Sequence, residues 1–137
     1  MKVTNIFLKT LPSVINVIIT FILTLPLLVY FGLGLNWKFS WVIIFFFYNF
    51  AFEFFYQKRD PGMILVGTFY ERQRSKIQKL FYVILYSLSF STLLFHIWFP
   101  FDIFLINIFL IQLPCILFFK NTLHGFLSGN VKTVTRF

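Results

Sequence analysis

Glu53 is the side chain best placed to do chemistry, a carboxylate in the run WVIIFFFYNFAFEFF about one turn before a long polar interval. A charge among phenylalanines is costly to maintain, and an acid in such a run binds a proton or cation or pairs with a nearby base. Gln57, Lys58 and Arg59 supply partners on the next turn, toward which the carboxylate can snorkel. Polar atoms recur at comparable depth in the other apolar runs. Asn16, Thr20 and Thr24 are spaced by four, which makes one helical stripe. A third run presents Ser87, Ser91 and Thr92, and a fourth Asn107 and Gln112. Asn16, Thr20, Glu53, Ser87 and Gln112 are therefore a candidate ion or solute pathway. The simpler reading is interhelical hydrogen bonding, worth about 0.6 kcal/mol per contact.

Other chemistries find no support in the residue pattern. His96 and Asp102 flank one turn, but two groups fall short of the three or four ligands of a zinc site. His124 stands far along the chain from Glu53 and from any serine spaced for nucleophilic attack. No HExxH motif is present, and the stretch from Gly62 to Gly67 lacks the Lys-Ser/Thr of a phosphate loop. The expectation is no metal, no cofactor and no enzymatic activity. The single cysteine, Cys115, lies in an apolar run and reads as a small hydrophobe.

The elements that must position these residues follow from hydropathy. Of the 137 residues, 59% are hydrophobic and 12% charged, against roughly 45 to 50% and about 25% in soluble domains. Residues 11–35 contain no ionisable group and as a helix span about 36 Å, enough for a hydrocarbon core. Further helices are predicted over residues 40–56, 80–98 and 102–119, with residues 36–38 forming a tight turn at Trp37 and Lys38. The predicted fold is all-α and integral to the membrane, with four transmembrane helices arranged as two hairpins. A loop, 57–79, joins the hairpins, and a tail, 120–137, follows them.

Charge gives the expected orientation. Of 12 basic residues only Lys38 falls on the far side of these helices, so both termini, the loop and the tail are predicted to be cytoplasmic in a plasma or inner membrane. Trp37, Trp41 and Trp98 then mark the opposite interface. The net charge of +8 is gathered at the ends of apolar runs instead of in a patch with interleaved aromatics, which argues against nucleic acid. The expected partners are the lipid bilayer and, because four helices enclose little, further copies of the chain or other membrane proteins.

Two motifs bracket the second hairpin. Asp60-Pro61-Gly62-Met63-Ile64-Leu65-Val66-Gly67 follows the aromatic and acidic stretch FYNFAFEFF, and Leu123-His124-Gly125-Phe126-Leu127-Ser128-Gly129-Asn130 lies in the tail. Their order, and the spacing from Pro-Gly to Gly and from Leu-His to Gly, resemble the RDD family of small bacterial membrane proteins over residues 45–134. The resemblance implies motif roles for Pro61, Gly62, Gly67, Leu123, His124 and Gly129, and passage of a cation, proton or small solute. The competing expectation is an accessory or scaffold subunit of a larger membrane assembly. Met63 stands where the family usually has Lys, Gly125 where it has Asp, and residues 11–35 lack the Arg and Asp that name the family. The extended-looking segments ILVGTFY and NVKTVTRF are predicted to pack side by side beneath the bundle.

Overall fold

Short polar residues ahead of the apolar runs decide where the helices begin. The structure, a computed structural model, describes residues 2–56, 59–95 and 103–135. Asn5 accepts a hydrogen bond from the Leu8 N–H, so α1 (Ile6–Phe31) starts ahead of the expected residue 11. It stops where Gly32 takes φ 73°, a conformation that costs glycine least. The connection is confined to residues 32–34, and α2 (Leu35–Ala51) follows at once, running on through a π-helical turn, Phe52–Tyr56. Trp37 and Lys38 therefore belong to α2 and not to the turn predicted for them.

The polar interval is folded. Asp60 caps α3 (Pro61–Val66), with Pro61 at the start where a missing N–H costs nothing. Gly67 ends α3 in the left-handed region, and β2 (Thr68–Tyr70) follows. Ser75 and Gln78 form a reciprocal capping box that starts α4 (Lys76–Leu94) ahead of the predicted residue 80. The predicted turn at 99–102, with His96, Trp98 and Asp102, lies outside the described residues. The chain is next described in α5 (Ile103–Phe119), whose middle, Ile106–Gln112, is π-helical. The tail holds α6 (Leu123–Leu127) and β3 (Thr133–Thr135).

The segments Ile6–Phe31, Leu35–Phe55 and Lys76–Leu94 are long and apolar enough to cross a membrane, while Ile103–Phe119 is shorter. Large apolar side chains stand exposed along them, among them Ile22, Val29, Phe47 and Phe118, as expected of surfaces that face lipid.

Inside the bundle, α1 and α2 meet along stripes of spacing four. Pro12, Asn16, Thr20 and Thr24 are the buried set of α1; Trp37, Trp41, Phe45 and Asn49 are that of α2. Phe45 is fully buried and stacks on Phe90 of α4 at 4.1 Å, with Tyr86 edge-on at 5.0 Å. Trp37 and Trp41 join this cluster. Their indoles are core groups, not the interfacial anchors that composition suggested.

One end of the bundle is closed by a three-stranded antiparallel sheet of order β1-β3-β2, in which β1 is Lys2–Val3. Thr68 pairs with Thr135, Phe69 with Val134 and Tyr70 with Thr133, while Lys2 and Val3 pair with the other edge of β3. The two segments predicted to lie together do so. Gly62 brings α3 against α1 so closely that a Cβ there would sit 2.2 Å from the Pro12 carbonyl oxygen. Only glycine fits this contact.

Candidate functional site

The π-helical turn after α2 continues the stripe of spacing four and carries Glu53 into the interior beneath the sheet. Tyr70 of β2 donates its hydroxyl to Glu53 Oε1 at 2.7 Å. Arg74, just before α4, places Nη1 3.8 Å from the same oxygen, an ion pair too long for a hydrogen bond. The guanidinium lies between two phenol rings, 4.6 Å from Tyr70 and 4.1 Å from Tyr82. These contacts stabilise a buried cation that retains unpartnered donors at Nε and Nη1 among the described residues. Burial raises the Tyr70 phenol well above its ordinary pKa, so it remains a donor.

A second acid lies nearby. Asp60 accepts from the Met63 N–H at 2.8 Å, and burial outweighs that bond to push its carboxyl up to about 6. Asn16 of α1 supports this corner: its Oδ1 accepts from the Gly62 N–H and the Tyr48 hydroxyl, both at 3.0 Å. His124 of α6 lies flat against Tyr86, ring centroids 4.7 Å apart at 16°, and is tilted at 58° to Tyr82, 5.3 Å away. Its Nδ1 is buried with no hydrogen-bond partner among the described residues. Burial, reinforced by Lys9 and Arg74, lowers its pKa to about 3. The imidazole is neutral.

Lys9, Asp60, Tyr70, Tyr86 and His124 share a chamber of about 20 Å³, enough for one water. Beside it a cleft of about 180 Å³ runs between α1, α4 and α5, from Lys9 and His124 past Gln112. A groove of about 210 Å³ between α4 and α5 shares His124, Ser89 and Gln112 with that cleft. The arrangement provides buried carboxylates and phenols that can hold or exchange a proton at one end of the bundle, with openings beside them.

The five candidate pathway residues are distributed over this interior. Asn16 and Thr20 are adjacent on α1, and Thr20 accepts from Trp41 Nε1 at 3.1 Å while donating to the Asn16 carbonyl. Glu53 lies beneath the sheet with Tyr70 and Arg74. Ser87 is on a different face of α4, lining an apolar groove against α2, and its buried hydroxyl has no partner among the described residues. Gln112 binds Ser89 Oγ and Asn107 Oδ1 through Nε2 and accepts from the Leu123 N–H. Asn107 is also bound to Ser89 and Thr92. The π-helical stretch puts Asn107 and Gln112, five apart, on one face. Asn16 and Thr20 thus sit together, whereas Glu53, Ser87 and Gln112 occupy three other places.

The motif residues converge at the charged end. Pro61, Gly62 and Gly67 shape α3; Leu123 and His124 open α6; Gly129 accepts from Arg72 Nη2 at 2.6 Å. His124, isolated in sequence, is central in space. Lys9, Asp60, Tyr70, Arg74, Tyr82 and Tyr86 were not among the residues singled out by sequence. The one available signal was Asp60-Pro61, an N-cap followed by proline, which fixes a carboxylate beside a helix start. Comparison with known protein families, with curated proteins and with solved structures finds no match to this chain.

Proposed function

We propose that this chain is an RDD-like integral membrane protein of four transmembrane helices that passes a small solute or ion, coupled to a proton or cation, with Glu53 as the working carboxylate. In this reading α5 is the fourth span, and the sheet, both termini and the polar clusters face the cytoplasm of a cell bounded by a plasma or inner membrane. The observation that carries it is the Glu53 carboxylate inside the bundle, bonded to Tyr70 and only loosely paired with Arg74. An acid maintained at membrane depth is a functional candidate by default. The eleven basic residues gathered on the predicted inner side support the orientation.

Purified protein in liposomes should show a proton- or cation-dependent flux that Glu53→Gln abolishes. Equal flux from both proteins would remove Glu53 from the mechanism. Absence of flux from either would favour the second reading, a non-transporting accessory subunit. That reading has its own observation, the apolar groove of about 290 Å³ between α2 and α4, where Phe46, Phe47, Ile84 and Leu88 surround the unpartnered Ser87 hydroxyl.

A further inference from the structure

Tyr70 joins the two acids of the charged end. Its hydroxyl donates to Glu53 Oε1 at 2.7 Å, and the same residue lines the chamber of about 20 Å³ that the buried Asp60 also lines. That volume takes one water, and the hydroxyls of Ser13 and Thr122 in the lining can help to hold it. The chamber shares Lys9, Ser13, Thr122 and His124 with the wider cleft between α1, α4 and α5, which gives it a way out. Around Asp60 stand Lys9 of α1, Tyr70 of β2, Tyr82 and Tyr86 of α4, and the neutral His124 of α6. Among these titratable groups of the lining, Asp60 is the one acid.

What fits between the two acids is a proton. A hard metal cation takes about six or more oxygen ligands, whereas here one carboxylate shares about 20 Å³ with the Lys9 amine. Burial holds the Asp60 carboxyl at about 6, close to the pH at which a proton carrier works best. We propose that the coupled ion is a proton and that Asp60 is its second carrier, exchanging with Glu53 through the Tyr70 hydroxyl and one water in the chamber. In the transfer the Tyr70 O–H bond breaks as its proton passes to Glu53 Oε1. The phenol oxygen takes a proton from the water, and the water takes one from the Asp60 carboxyl. Asp60 is left ionised and Glu53 neutral, while Tyr70 and the water end as they began. The shift is concerted, because burial disfavours a phenolate at Tyr70. Asp60 then reloads from the side of the cleft. The inference rests on the role of Glu53 proposed above and narrows its coupled ion.

Two substitutions remove the relay and little else. Tyr70→Phe takes away the hydroxyl and keeps a ring beside Arg74, and Asp60→Asn keeps an N-cap for α3. In liposomes a pH gradient should drive a flux in wild type that either variant lowers about a hundredfold, and a sodium or potassium gradient should drive none. Infrared spectroscopy after a pH jump, on the full chain in detergent, reads the step without transport. The carboxyl band that Glu53→Gln removes should rise about a hundredfold more slowly in both variants, and more slowly for wild type in deuterium oxide than in water. An unchanged rise of that band, or proton flux at the wild-type level, in either folded variant would overturn the relay. Should neither variant fold, equal rates for wild type in water and deuterium oxide would overturn it. Flux driven by sodium or potassium and not by protons would overturn the proton and leave the role of Glu53 standing. No flux of any kind, with both variants slowed in the infrared, would remove transport and retain the relay.

Discussion

Phe45 and Glu53 lie two steps apart on one buried stripe of α2 and its π-helical turn, yet they meet opposite surroundings. Phe45 is enclosed by Phe90 and Tyr86, and every neighbour adds dispersion contact. Glu53 is held by one phenol and a distant guanidinium, in a region where two acids, three tyrosines and a neutral histidine share little water. The aromatic end draws its stability from close packing, which is what remains to hold helices together when lipid is as apolar as the core. The polar end bears a desolvation cost that packing elsewhere must offset.

Three substitutions probe that contrast. Phe45→Ala should have the largest effect at neutral pH, a loss of about 3 kcal/mol from the cavity it leaves, read by unfolding in detergent; a loss below about 1 kcal/mol would mean that the aromatic stack is not the principal hold.

Acidification probes the polar end. Unfolded, His124 takes a proton near 6.5; folded, it refuses one until about 3. Its contribution is therefore present above 6.5 and lost as pH falls toward 3, at about 1.4 kcal/mol per pH unit. Asp60 has the opposite sign, because its folded pKa is raised from 3.8 to about 6. Its contribution is full below 3.8 and lost as pH rises through 6. The two oppose each other in between. His124→Phe removes the histidine's loss, so the variant should gain on wild type as the buffer is acidified from 6.5 to 3.8. A difference that stays constant over that range would show that the imidazole is not held neutral.

Trp41→Phe should have the smallest effect. It removes the hydrogen bond to Thr20 while keeping a ring in the cluster, and the expected cost is about 0.6 kcal/mol. A loss above about 2 kcal/mol in the same unfolding measurement would place polar contacts on a par with packing.

Apolar run length and charge placement made the helices legible in the sequence, and spacing of four identified the Asn16-Thr20-Thr24 face. Helix starts were harder to read, since Asn5 and the Ser75-Gln78 pair look like loop residues until their side chains are seen to bond backbone. Trp37 and Trp41 resemble interfacial anchors because composition cannot tell an indole at the boundary from one turned inward. The polar clusters were least legible. Gly62 meets Asn16 across 46 positions, Arg74 reaches Val131 across 57, and His124 stacks on residues of α4. Local pattern carries no trace of such pairings.

The placement of β3 between β1 and β2 also sets a clock on assembly. Lys2 and Val3 find their strand partner only in residues 134 and 135, and β2 pairs with the same strand. Synthesis proceeds from the N-terminus at about 5 to 20 residues per second, so both outer strands wait for residues 133–135 to be made. The end of the bundle that holds Glu53, Asp60 and His124 consequently closes only after the helices α1 to α6 have been made.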